Sequence, residues 1–146
     1  KLEIIDKLNY YIQPRINKQL STYIINLTKI TQNKIDTMGY DFEIVMEKFY
    51  TFSKNLELYS YGNDYSIIQE NLDLYKIDID SKYRTWNNSF LDIRFIFQSY
   101  GINTSNYTSG TVYKHFNLKP KQEIKIHDAE WDTYSLFLTL VYILEK

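Results

Sequence analysis

Ile126-His127-Asp128-Ala129-Glu130-Trp131-Asp132-Thr133 leads directly into an apolar segment that ends at Lys146. Past Tyr134 that segment is apolar on nearly every side, so a helix from Asp128 to about Glu145 is expected to be largely buried. His127 stands on the loop before it, free to take a proton. Asp132, one turn into the helix, can point at a metal ion. A base and a carboxylate in this arrangement suit metal-dependent hydrolysis.

Working back along the chain, strand-like and helix-like patterns alternate. Leu8, Tyr10 and Ile12 alternate with Lys7, Asn9, Tyr11 and Gln13, a period of two that predicts a strand with one wet face, ended by Pro14. Leu20, Tyr23, Ile24 and Leu27 fall at helical spacing. The stretch from Ile30 to Tyr40 reads as a polar connection containing Gly39. Phe42, Val45, Met46 and Phe49 form a second helical stripe, with Asp41 as its N-cap. Leu56 to Tyr61 reads as a short buried strand and Gly62-Asn63 as a turn. A helix from Asp64 puts Tyr65, Ile68, Leu72 and Tyr75 on one face. Residues 77 to 88 are polar and carry no clear pattern. Phe90 to Tyr100 begins as a strand and becomes a helix toward Gly101, and Ser109-Gly110 opens a short helix with Val112, Tyr113 and Phe116. The alternation argues for an α/β layer fold.

Composition sets outer bounds. The chain has 146 residues, enough for a single domain with its own core. Only 4 glycines and 2 prolines punctuate it, and no linker or repeat divides it. With no cysteine, disulfides and thiolate metal sites are excluded, which fits a reducing, cytoplasmic setting. Net charge is −1, so there is no broad basic footprint for duplex DNA; a protein that grips only a strand end, with metals supplying positive charge, needs none. No segment is long and apolar enough to span a membrane, and no signal peptide is visible. The 15 tyrosines read chiefly as core and codon bias, with base stacking open to a few.

With the elements placed, motifs line up in order. Tyr10-Tyr11-Ile12-Gln13-Pro14 is followed by Leu20-Ser21 and by Leu27-Thr28-Lys29-Ile30-Thr31-Gln32. Asp41-Phe42-Glu43 begins the next helix, and Tyr59-Ser60-Tyr61-Gly62-Asn63-Asp64 follows. Phe90-Leu91-Asp92-Ile93-Arg94, the Ser109-Gly110 helix and the H-x-x-x-x-D of His127 to Asp132 complete the series. Together they resemble the DEDDh 3′–5′ exonucleases across essentially the whole chain, nearest the ERI-type and KapD-like subgroup. The resemblance implies an RNase H-like αβα fold with a mixed central sheet. It implies two divalent ions, Mg2+ or Mn2+, about 4 Å from each other, that clamp the attacking and leaving oxygens. It also implies His127 as general base, Asp132 as a direct metal ligand and Asp64 as a second-motif metal ligand, with a single-stranded RNA or DNA 3′ end as the partner.

Alternatives stay open beside these roles. Asp64 can instead N-cap its helix through the amides of Ser66 and Ile67. One more residue between glycine and acid would put Tyr65 at the catalytic position. Asn87-Asn88-Ser89-Phe90-Leu91-Asp92 mimics the second motif of proofreading relatives and makes Asp92 a rival acid. Asp132 can be an ordinary helix carboxylate and His127 a residue without a role.

The family's first motif, D-x-E on the first and central strand, is not found; Glu3 and Asp6 have the wrong spacing. Residues 1 to 14 look like a later strand. The expectation is therefore an N-terminally incomplete domain over residues 1–146, its site completed by residues not in this chain. It would be inactive alone, with a homodimer or another segment filling the central slot. The competing expectation is an inactive relative that binds nucleic acid or a protein.

Overall fold

The structure is a computed structural model and describes residues 2–77, 90–121, 123–125 and 127–146. The chain runs β1 (Tyr11–Ile12), α1 (Thr22–Thr28), α2 (Gln32–Met38), β2 (Gly39–Tyr40), α3 (Phe42–Ser53) and β3 (Leu58–Ser60). It continues with α4 (Asp64–Leu74), β4 (Phe90–Asp92), α5 (Ile93–Ser99), 3-10 turns at Thr104–Asn106 and Val112–Phe116, and α6 (Ala129–Leu144). The alternation of strand and helix matches the sequence reading. Residues 78–89, most of the unpatterned polar stretch and the Asn87-Asn88-Ser89 part of the proofreading-like motif, lie outside the described residues, as does Ile126.

Local chemistry explains most boundaries. Asp41 caps α3 by accepting from the Glu43 amide, and Phe42, Val45 and Met46 are buried along it. Asp128 caps α6, taking the amides of Glu130 and Trp131, and Ser21 caps α1 by accepting from Ile24. The connection expected between Ile30 and Tyr40 is in fact a helix and a strand. Thr31 caps α2 through the Lys34 amide, and Ile35 is its one buried side chain. A helix that buries a single residue leaves no apolar stripe in the sequence.

The sheet is split, as expected of one without its central strand, although both described pairings are parallel where a mixed sheet was expected. Among the described residues the strands form two separate parallel pairs, β1 with β2 and β3 with β4. In the second pair Leu58, Tyr59 and Ser60 face Phe90, Leu91 and Asp92. β1 is also shorter than its alternating pattern. A ladder extends only as far as its partner, and β2 offers two residues. An apolar groove of about 520 Å³ lies beside β1, between Leu8, Tyr10 and Ile12 on one wall and Phe42, Met46 and Ile68 of α3 and α4 on another.

The core has two centres. Phe42, Met46 and Leu72 join α3 to α4, with Tyr65 and Phe90 packed against them. Ile93, Phe97, Ile102, Val112 and Ile143 join α5 and the second 3-10 turn to α6. Phe97, Leu72 and Val112 are fully buried. Tyr61 connects the end of β3 to the second centre, donating from its hydroxyl to the carbonyls of Thr104 (2.8 Å) and Tyr107 (3.1 Å).

Candidate active site

The candidate residues fall into two groups. The first is the turn after β3. Gly62 has φ 107°, a left-handed value that favours glycine, and it swings the chain from β3 into α4. Asp64 is the first residue of α4, and Asn63 precedes it at the cap without a side-chain capping bond. The N-cap alternative for Asp64 is therefore not the arrangement formed. Its carboxylate lies in the first turn, where the helix dipole favours negative charge. The residue is exposed as a whole, yet crowding around the carboxyl pushes its pKa up. Nearby Asp92 pushes the same way and Arg94 opposes both. Tyr65 turns into the core, its ring centre 5.2 Å from that of Phe90.

Asp92, the rival acid, is held by donors. Its Oδ1 accepts from the amides of Gly62 (3.2 Å) and Arg94 (3.0 Å), so it caps α5 and fastens the turn that carries Asp64. The Arg94 guanidinium grips both of its oxygens at 2.6–3.0 Å. That contact, chiefly, holds the Asp92 carboxyl below its usual range. Arg94 also lies 5.8 Å from the centre of the Tyr61 ring.

The second group is the start of α6. His127 is exposed, sits at φ 68° and ends the loop; Asp128 then caps the helix. Asp132 falls one turn in, its amide bonded to the Asp128 carbonyl at 2.8 Å. Burial pushes the Asp132 carboxyl up, while Ser109 and His127 beside it pull down. Its Oδ1 is buried and accepts no hydrogen bond. Trp131, 3% exposed, donates from its indole to the Gly110 carbonyl at 2.9 Å. The structure thus brings His127 and Asp132 together and puts Asp64 with Asp92 and Arg94. Arg94, Ser109, Gly110 and Trp131 were not singled out from the sequence. Only Arg94 left a local trace there, two residues after a capping aspartate.

The donor chemistry suits a hard cation at Asp132, because a buried carboxylate oxygen with no donor is an acceptor a metal would satisfy. Among the described residues no three His, Asp or Glu side chains are grouped to hold an ion. Asp132 alone would thus supply one ligand and not a complete site.

The profile of the RNase_T exonuclease family matches residues 1–138. The chain belongs to the RNase_T exonuclease family. The "3'-5' exoribonuclease 1" proteins of Rattus norvegicus and Mus musculus are each 40% identical to it over 57 residues, 39% of this chain. That match spans 16% of the length of those relatives. A crystal structure of the nuclease domain of 3'hExo, a DEDDh family member bound to rAMP, superposes with a TM-score of 0.78. The superposition covers 99% of this chain and 74% of that one at 23% identity, a likeness of fold. The exonuclease reading of the sequence is borne out by the family match, and the expected fold by its likeness to that DEDDh nuclease domain.

Proposed function

We propose that this domain serves a metal-dependent 3′–5′ exonuclease that hydrolyses phosphodiester bonds at single-stranded nucleic-acid ends. The observation that carries the reading is the start of α6. There a buried carboxylate oxygen of Asp132 lacks any donor, and an exposed histidine stands beside it. In this reading Asp132 holds a divalent ion, Mg2+ or Mn2+, and His127 takes the proton of the attacking water. Asp64, at the head of α4 with no capping duty, contributes a second carboxylate. A bound metal supplies charge stabilisation for the leaving oxygen and a more acidic water. Two-metal chemistry needs more carboxylates than these, so the chain alone is expected to show little or no cleavage. The same RNase_T membership, and rAMP bound to the structural neighbour, favour a nucleotide 3′ end as the ligand. The cysteine-free composition suits a cytoplasmic setting.

The test is a short single strand, labelled in turn at its 5′ and 3′ ends, incubated with the 146-residue chain in Mn2+ or in EDTA. Little or no trimming from the 3′ end is expected in Mn2+, and whatever trimming occurs should be lost in His127→Ala and in Asp132→Asn. Cleavage that both variants retain would overturn the assignment. Robust cleavage by the wild type that His127→Ala abolishes would instead overturn the view that the site needs further carboxylates. Tight strand binding, with no cleavage even at high protein concentration, would favour the binding-module alternative.

A further inference from the structure

We propose that Gly110 and Trp131 form a clamp that sets the position of the Asp132 carboxylate. Ser109 and the His127 backbone bond the Asp132 carboxyl, but its Oδ1 accepts no hydrogen bond, so packing must fix that oxygen. The packing is specific. Gly110 is buried, and a Cβ built on it would overlap Asp132 Oδ1 and come within 3.3 Å of the carboxyl carbon. The carboxylate therefore fills the space a side chain at 110 would take. Gly110 does not have a positive φ, so space rather than backbone conformation demands glycine there.

Trp131 keeps that space aligned with the carboxylate. Its indole N–H holds the Gly110 carbonyl at 2.9 Å in a buried bond that spans 21 positions of the chain. The Tyr113 ring meets the indole edge-on, centres 5.5 Å apart, and Tyr113 is itself buried. Because Trp131 and Asp132 are consecutive, fixing the indole fixes the rotation of the first turn of α6 and hence the direction of the next side chain. The hydrogen bond supplies the alignment and the missing Cβ supplies the room.

The functional consequence rests on Asp132 being a metal ligand, as proposed above; the geometry of the clamp does not. The experiment separates the two. In metal-free protein at fixed neutral pH, the carboxyl carbon resonance of Asp132 is followed by 13C NMR in Gly110→Ala and Trp131→Phe. Leu72→Ala is the control, because it lowers stability from the other core centre. Both clamp variants should move the Asp132 resonance beyond its line width, and Leu72→Ala should leave it in place. In a parallel titration with Mn2+ alone, the clamp variants should bind about tenfold more weakly, as outer-shell changes commonly do. An Asp132 resonance that stays at its wild-type position in either clamp variant overturns the clamp. If Asp132→Asn binds Mn2+ as tightly as the wild type, the metal reading fails and the resonance still decides the clamp.

Discussion

The turn after β3 and the first turn of α6 both present aspartates, and they treat them in opposite ways. Asp92 is surrounded by donors: two backbone amides and a guanidinium that grips both oxygens. Asp132 is half-buried, and although Ser109 and the His127 backbone bond its carboxyl, its buried Oδ1 accepts no hydrogen bond. A carboxylate saturated by its own protein is a fastener, because any ligand must displace bonds already made. A carboxylate with one buried oxygen left without a donor costs folding free energy and leaves that oxygen open to a ligand. The contrast makes Asp92 structural and is the ground on which chemistry is proposed for Asp132.

The largest effect should come from cutting the fastener. Asp92→Ala removes an N-cap of α5, the bond to Gly62 and the partner of Arg94. The loss expected in urea denaturation, at unchanged slope, is about 2–3 kcal/mol. The pH dependence has a definite sign. The folded Asp92 carboxyl titrates below its ordinary value of 3.8, so its contribution is fully present above that pH. It fades as pH falls through the lower folded value. A loss under about 0.5 kcal/mol, the usual range for surface substitutions, would break the comparison by making Asp92 dispensable.

Asp132 should respond in the opposite direction. Its folded pKa lies above 3.8, chiefly through burial, so the folded state holds the proton more tightly than the unfolded chain. Ionisation therefore destabilises the fold, fully at neutral pH and not at all below the unfolded value. Asp132→Asn should raise stability at neutral pH by about 0.5–1 kcal/mol, allowing for screening at a partly exposed group. The gain should vanish in thermal melts run well below pH 3.8. A destabilised variant at neutral pH would mean that the carboxylate is itself a structural bond.

How much of this was legible in the sequence follows from the range of the interactions. The cap at Asp41, the start of α6 at Asp128 and the stripes of α3 and α4 are local, and they stand where the sequence put them. Helix α2 escaped because only Ile35 marks its buried side. The strand pattern at Leu8 to Ile12 was real, but the length of β1 is set by a partner 28 positions away, as Tyr11 opposite Gly39 shows. His127 and Asp132 could be found because their spacing is local. The bond from Trp131 to Gly110 could not, because nothing in either neighbourhood announces the other. For the same reason Asp64 and Asp92 stood as rivals. Their difference lies in the neighbouring Arg94 guanidinium and in the Gly62 amide, which meets Asp92 only once β3 and β4 are paired.

The smallest effect tests whether the β3–α4 turn holds one fastener or two. Asp64 makes no capping bond, and its pKa is raised by burial, with Asp92 adding to the shift and Arg94 opposing it. By the same sign argument Asp64→Asn should stabilise the chain at neutral pH, though by only a few tenths of a kcal/mol at so exposed a position. The more telling measurement is the same change in an Asp92→Asn background. There the neighbouring negative charge is gone and Arg94 has no carboxylate of its own to grip. The guanidinium is then free to turn to Asp64, which should become worth keeping. The small gain from Asp64→Asn should shrink to nothing or change sign, a coupling that a double-mutant cycle reads directly. If the gain is the same in both backgrounds, the two aspartates do not share Arg94, and Asp64 owes its raised pKa to burial alone.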